Sequence, residues 1–107
     1  MRAVSIAARN VAVLCAGVLG ELALDDAYCA GRIAQALGGE PEDSARAAIL
    51  LAESFPDVLA GLGASRSAAN LRRLGLEADI EWCARENALG VVPRYLRRVG
   101  DGVEVAL

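Results

Sequence analysis

Three acidic residues that follow a short apolar run are the side chains best suited to chemistry in this sequence. Glu21, Asp25 and Asp26 come shortly after residues 11–15, which read VAVLC. Carboxylate oxygens are the hard ligands that Mg²⁺ prefers, and bound Mg²⁺ supports attack of water on a phosphoryl group. The three residues are therefore candidate metal ligands. The structural alternative stays open, because acids at a helix start also cap it and favour its dipole.

A second polar cluster could bind an anion. Ser65, Arg66, Ser67 and Asn70 stand at the expected start of a helix. Backbone N–H groups at a helix N-terminus, together with a guanidinium, can bind a phosphate or a sulfonate. We therefore consider Ser65 and Arg66 as candidate substrate-binding residues. The alternative here is an ordinary serine N-cap beside an exposed arginine.

The composition excludes several kinds of chemistry and partner. The 107 residues contain no His, and all 11 basic residues are Arg, so histidine bases and lysine nucleophiles are excluded. The net charge is -3 and the arginines are scattered, which argues against nucleic acid as a partner. No apolar stretch reaches the roughly 20 residues that span a bilayer. We expect no membrane contact and a cytoplasmic location.

The three cysteines indicate neither a disulfide framework nor a zinc site. Cys15, Cys29 and Cys83 are odd in number and show no CxxC spacing. We expect each of them to be a small buried hydrophobic residue.

The elements that must position these residues follow from the apolar pattern. The run at 11–15 is typical of a short strand buried on both faces. Helices are expected over residues 24–37, from Pro41 to about residue 53, over 65–73 with a Ser65 N-cap, and over 78–86 with Ile80 and Cys83 facing inward. Residues 91–93 are β-prone, and residues 95–99 and 103–106 favour strands joined by a turn at 100–102.

This order predicts a single α/β domain over residues 1–107, with one buried N-terminal strand, about four helices and a C-terminal β-hairpin. A central strand needs neighbours on both edges, and the hairpin can supply only some of them. We therefore expect the chain to be part of a larger three-layer sheet. The remaining strands would come from a missing N-terminal half or from another chain, including a homo-oligomer.

Two separated stretches resemble the 2-phosphosulfolactate phosphatase family. Residues 11–17 (VAVLCAG) and 24–31 (LDDAYCAG) match its pattern of an apolar strand, Ala-Gly, an acid followed by Asp, and a second Ala-Gly. A second match, in the same order and spacing as the family's C-terminal region, comprises Ser65, Leu71, Gly75, Asp79, Ile80, Cys83, Ala84 and residues 91–93. The chain departs from the family at Ala68, where Gly is usual, and at Asp25, where Glu is frequent. The resemblance covers the C-terminal part of the family only.

The resemblance implies a Mg²⁺-dependent hydrolase that converts 2-phospho-3-sulfolactate into 3-sulfolactate and phosphate, a step in coenzyme M biosynthesis. Together with the residue types, it gives the hypothesis that Asp26, assisted by Asp25, acts in catalysis and holds Mg²⁺, with Glu21 as a further candidate metal ligand. Ser65, Arg66 and Arg32 would bind the small anionic substrate. Activity could be lost in so short a chain. The alternatives are a non-catalytic α/β remnant, a subunit completed by a partner, and an acidic helical interaction module.

Overall fold

The computed structural model describes residues 10–107, and five helices precede a β-hairpin in this part of the chain. In chain order they are α1 (Leu24–Leu37), α2 (Asp43–Glu53), α3 (Val58–Gly63), α4 (Arg66–Arg73), α5 (Glu77–Cys83), β1 (Arg94–Val99) and β2 (Gly102–Ala106). The mixed class of helices with an antiparallel hairpin is confirmed. The larger sheet and the extent of the domain stay predictions.

Helices α1 and α2 form the main packing unit, and their contact is made by small residues. A Cβ atom on Gly31 would lie 2.0 Å from the carbonyl oxygen of Ala48 and 2.9 Å from the Cβ of Ala52. Ala30 on α1 and Ala52 on α2 are both buried. The two backbones can approach this closely only because position 31 has no side chain.

Tyr28 is the one large aromatic residue that the described part of the chain buries. Its ring meets Phe55 edge-on, with 5.9 Å between the ring centroids, and a Cβ on Gly61 would lie 2.4 Å from it. Gly61 belongs to α3, a six-residue helix that the sequence patterns did not predict. Asp57 caps this helix by accepting a 2.8 Å hydrogen bond from the backbone N–H of Ala60.

The expected serine N-cap of α4 is present. The Ser65 hydroxyl accepts a 3.0 Å hydrogen bond from the Ala68 N–H and donates to the Leu62 carbonyl at 2.8 Å. Ser65 is 4% exposed, so these two bonds replace the water contacts that it would otherwise make.

Replacing Ser65 by alanine is expected to destabilise the chain by about 1–2 kcal/mol, the upper range for losing a helix N-cap. The melting temperature should fall by about 4–8 °C per kcal/mol. Ser44→Ala, at an exposed position in the first turn of α2, is the matched control. Equal melting temperatures for the two variants would show that Ser65 has no structural role.

The hairpin forms where the sequence predicts it, with Gly100 at φ +58° in the turn. Arg97 and Glu104 face each other across the strands and form a 2.5 Å ion pair. Residues 91–93, which were expected to be β-prone, belong to no strand. The strands pack mainly on each other, and every residue of β1 is exposed.

The expected burial of the cysteines needs correction, and the expected N-terminal strand stays a prediction. All three cysteines are exposed, so the prediction that they are buried is wrong. In α5, Ile80 is buried as expected and Cys83 is not. The predicted strand at residues 11–15 stays a prediction, because a strand is defined by its neighbours and no described residue pairs with it.

The core of the described chain is small, which explains the exposed cysteines. Six hydrophobic residues are buried, and no large side chain is fully enclosed. The six are Ala23, Tyr28, Ala30, Ala52, Ala68 and Ile80. Expectations based on hydrophobicity assume a full core, which these residues do not build. No helix among the described residues has the length and apolar character needed to cross a membrane.

Candidate active site

The link between the apolar run and α1 is a tight turn over residues 18–21. Val18 and Glu21 exchange two backbone hydrogen bonds of 3.0 Å. Leu19 and Gly20 between them both have positive φ, at 51° and 80°, as a type I′ turn requires. Leucine rarely adopts this conformation, and backbone strain of this kind concentrates at functional sites. The fully exposed Leu19 was not singled out by the sequence patterns.

Asp26 ties this turn to α1. Its Oδ2 accepts a 2.8 Å hydrogen bond from the Gly17 N–H, and its backbone carbonyl accepts a 3.6 Å contact from the Cys15 thiol. Gly17 has φ +70°, and a Cβ there would lie 2.6 Å from the Glu21 carbonyl oxygen. The Asp26 carboxylate therefore has a clear positioning role, because it fixes the end of the apolar run against the helix.

Asp25 is placed differently from its neighbour. The residue is half-buried, and its Oδ1 is buried without a hydrogen-bond partner among the described residues. An unsatisfied buried oxygen costs about 1–3 kcal/mol, so native structures contain few of them. A carboxylate oxygen held in this state is suited to accept a ligand.

Glu21 and the two aspartates do not form a metal centre by themselves. Within residues 10–107, no three side chains of His, Cys, Asp or Glu lie close enough together to hold a metal ion. Octahedral Mg²⁺ needs several oxygen ligands, some of which are usually waters or substrate phosphate. The described residues offer one buried carboxylate oxygen without a hydrogen-bond partner, on Asp25, and they do not fit a complete site.

A shallow open pocket of about 340 Å³ lies beside the turn. It is lined by Cys15, Ala16, Gly17, Gly20, Glu21, Leu22, Ala23 and Ala27. Its walls therefore come from the end of the apolar run, the turn and the beginning of α1. This is the junction where the sequence predicts the site, since open α/β sheets bind ligands beyond the carboxyl ends of their strands.

Arg32 lies on α1 but is not in contact with the acids. Asp25 and Arg32 are seven positions apart, which corresponds to about 10 Å along a helix axis. The Arg32 Nε donates a 3.0 Å hydrogen bond to Glu86, and the guanidinium also contacts Gln35. Because Glu86 is 54 residues away in the sequence, no local pattern could have indicated this ion pair.

Ser65 and Arg66 lie at the start of α4, which packs on α3 and α5. The Ser65 hydroxyl already donates a hydrogen bond to the Leu62 carbonyl. Arg66 is exposed and forms no ion pair with another described residue. The structure thus links Asp26 to Gly17, which lies against the backbone of Glu21, and Asp25 precedes Asp26 on α1. Within the described chain, no hydrogen bond or ion pair joins Arg32, Ser65 or Arg66 to these residues. The roles proposed for all of these residues remain predictions.

Cys29 is the titratable group of the site whose pKa is clearly shifted. Although Cys29 is exposed as a residue, partial desolvation of its thiol raises the pKa, and the neighbouring Cys15, Asp26 and Asp25 raise it further. Each of these causes disfavours the negatively charged thiolate. The thiol of Cys29 is therefore held in its neutral form to a higher pH than a free cysteine.

We expect Cys29 to react with iodoacetamide more slowly than free cysteine at neutral pH, because the thiolate is the reacting species. The rate at Cys29 should reach half its plateau at a higher pH than the rate of free cysteine does. Mass spectrometry that resolves each cysteine measures both profiles. A half-plateau pH at or below that of free cysteine would contradict the placement of this thiol.

Comparison with known proteins gives the family. Residues 1–98 match the family described as 2-phosphosulpholactate phosphatase. A probable 2-phosphosulfolactate phosphatase of Thermus thermophilus is 42% identical over 102 residues, which is 92% of this chain and 43% of the relative. The 2-phosphosulfolactate phosphatase of Methanothermobacter thermautotrophicus is 40% identical over 97 residues, or 87% of this chain and 43% of the relative. A probable 2-phosphosulfolactate phosphatase of Deinococcus radiodurans is 36% identical over 105 residues, which is 94% of this chain and 43% of the relative.

These matches place the chain in a family whose members are named as phosphatases. The chain belongs to the 2-phosphosulfolactate phosphatase family, as the resemblance predicts. It spans 43% of the length of these three relatives, which is consistent with the C-terminal part that the sequence indicates.

Proposed function

We propose that this chain supplies part of the active site of a phosphatase that hydrolyses 2-phospho-3-sulfolactate to 3-sulfolactate and phosphate. The observation that carries the proposal is the pair of neighbouring aspartates. Asp26 holds the turn through Gly17, and Asp25 keeps a buried oxygen that no described residue contacts by a hydrogen bond. Family membership supplies the substrate, because relatives that share this region carry the name of that phosphatase.

The reaction breaks a phosphate ester by attack of water. The bond between phosphorus and the ester oxygen breaks, and the leaving oxygen takes up a proton to become the hydroxyl of 3-sulfolactate. Catalysis of this kind depends mainly on positioning the reacting groups and on stabilising the charge of the phosphoryl oxygens. Mg²⁺, when bound, would supply much of that charge stabilisation.

The contacts of the two aspartates favour different roles for them. Asp25 is the better candidate for a metal ligand, since one of its oxygens is buried without a hydrogen-bond partner among the described residues. Asp26 is the better candidate for a positioning residue, since its Oδ2 is bonded to Gly17. The other ligands that Mg²⁺ needs would come from polypeptide that the relatives have and this chain does not span.

For the substrate anion, Arg66 is the most available of the three predicted residues, because its guanidinium has no ion pair with a described residue. Arg32 would have to leave Glu86 before it could bind a sulfonate. The Ser65 hydroxyl donates its hydrogen bond to the Leu62 carbonyl. Only an oxygen lone pair of Ser65 therefore remains for a substrate. The product is a sulfonated hydroxy acid, and we propose, as the family resemblance implies, that the reaction serves coenzyme M biosynthesis.

The test is phosphate release by this chain in complex with the segment of the Thermus thermophilus relative that it does not match. We expect release from 2-phospho-3-sulfolactate in the presence of Mg²⁺ and little from 2-phospholactate, which lacks the sulfonate. Equal rates on the two compounds would contradict the proposed substrate. Equal rates with and without Mg²⁺ would contradict the proposed cofactor.

A non-catalytic subunit is the second candidate, and the small core favours it. Large apolar side chains such as Leu14, Leu19 and Leu22 are 79% exposed or more, as expected of a chain whose partner is absent. A non-catalytic subunit would form a stable complex with its partner, and this complex would release no phosphate from 2-phospho-3-sulfolactate. Phosphate release by the complex, above the rate of either polypeptide alone, would exclude it.

A further inference from the structure

The apolar run before the candidate site is unusually open. Val11 and Val13 are 41% and 38% exposed, and Leu14 is 96% exposed. Residues 11–16 make no backbone hydrogen bond to another described residue. In a strand, Val13 and Leu14 point to opposite faces, so both faces of this run are apolar and exposed.

The chain as a whole also exposes more surface than a compact protein of its size. Its accessible surface is 8385 Å² at 11.1 kDa, where a compact monomer of that mass exposes about 5,700 Å². The nine residues outside the described part can contribute at most about 1,400 Å², the surface of nine fully extended residues. The described residues therefore carry an excess of more than about 1,000 Å², whereas a stable interface typically buries about 800 Å² per partner.

We propose that residues 11–15 are a docking strand, which inserts into a β-sheet supplied by polypeptide equivalent to the rest of the family protein. The relatives are more than twice as long as this chain, which covers 43% of their length. An occupant of suitable size thus exists in every one of these relatives. To fit this run, the occupant must present open strand edges beside it and apolar side chains above and below it.

A second copy of this chain is a poorer occupant. Pairing two copies through residues 11–15 would satisfy one edge of each strand and leave the other edge open. A run that is apolar on both faces is typical of a central strand, with neighbours on both edges and helices on both faces. A longer polypeptide with two separate strands can meet these requirements, and one identical strand cannot.

Docking at this place would also bring the partner to the candidate site. Cys15 and Gly17, at the end of the strand, both contact Asp26. The carboxyl ends of parallel neighbours would therefore lie next to Asp25 and Asp26, where open α/β sheets place their ligands. This last step rests on the proposed function, whereas the docking itself does not.

The experiment is co-expression of the chain with the unmatched segment of the Thermus thermophilus relative, followed by sizing with light scattering. We expect a soluble complex of one chain and one segment. Leu14→Asp should weaken it on the order of 30-fold or more, as expected for a buried anchor residue. Val13→Pro, which removes a backbone donor from the strand, should weaken it as well.

Leu50→Asp is the matched control, because Leu50 is 60% exposed on α2 and undergoes the same change. The control should leave the complex intact, and circular dichroism of the free chain should be unchanged by both aspartate variants. No soluble complex with the wild-type chain, or equal weakening by Leu14→Asp and Leu50→Asp, overturns the proposal. A dimer of the chain alone that Leu14→Asp dissociates would show that a second copy is the occupant. A complex that forms but releases no phosphate leaves the docking strand in place and refutes the proposed function.

Discussion

Gly31→Val is expected to abolish the cooperative unfolding transition of this chain. Even the first carbon of a side chain at position 31 would lie 2.0 Å from the carbonyl oxygen of Ala48 and 2.6 Å from its carbonyl carbon. Neither atom can move without moving the backbone of α2, so the α1 and α2 helices would have to separate. Overpacking a well-filled core typically costs 1–3 kcal/mol, and we expect at least the top of that range, about 3 kcal/mol.

Gly31→Ala gives the same test in a milder form. In an ordinary helix interior, this change stabilises by about 0.5–1 kcal/mol. Here we expect a lower melting temperature, by about 10 °C or more, since each kcal/mol shifts a domain of this size by about 4–8 °C. Gly90→Ala is the control, because no heavy atom lies within 4 Å of the added carbon. A melting temperature for Gly31→Ala equal to or above that of the wild type would contradict the close helix contact.

Asp25→Ala and Asp26→Ala are expected to change stability in opposite directions. Removing Asp25 eliminates a buried oxygen that has no hydrogen-bond partner within residues 10–107, at the loss of a helix-dipole contribution of about 0.3–1 kcal/mol. Relief of the buried oxygen is worth about 1–3 kcal/mol, so the net change should be stabilising by about 1 kcal/mol. Removing Asp26 leaves the Gly17 N–H without its acceptor and should destabilise by a similar amount.

Thermal unfolding followed by circular dichroism measures both changes. Asp43→Ala, which removes an acid from the first turn of α2, is the control for the helix dipole alone. If Asp25→Ala and Asp43→Ala lower the melting temperature equally, Asp25 is only a dipole-stabilising acid. A stabilising Asp25→Ala indicates a residue kept for a ligand at a cost in stability, as is common for functional sites.

The helices and the hairpin could be predicted because their signals are local. Acids in the first turn and glycines after the last turn delimit α1, and Ser65 marks the start of α4. The turn at residues 100–102 separates two β-prone runs as a hairpin requires. Helix α3 was missed because six residues, two of them glycine, carry no clear period, although Asp57 is a recognisable N-cap.

The tertiary features could be predicted less well. The cysteines were expected to be buried because they are apolar, but burial depends on how many neighbours the fold supplies. The predicted strand at residues 11–15 depends on neighbouring strands that no described residue provides. In the candidate site, the group of acids was predicted from its position after the apolar run. The unpartnered oxygen of Asp25 and the Arg32–Glu86 ion pair depend on three-dimensional contacts that spacing does not encode.

The most direct test of the proposed site is the rate of phosphate release from 2-phospho-3-sulfolactate by the reconstituted complex, with wild-type chain and with Asp25→Asn. Asparagine keeps the size of the side chain and removes the charge that a metal ligand needs. We predict a rate at least about 100-fold lower for Asp25→Asn at saturating substrate and Mg²⁺, an effect of about 2.7 kcal/mol on the barrier. Equal rates for the two complexes would contradict the claim that this chain contributes Asp25 to the active site.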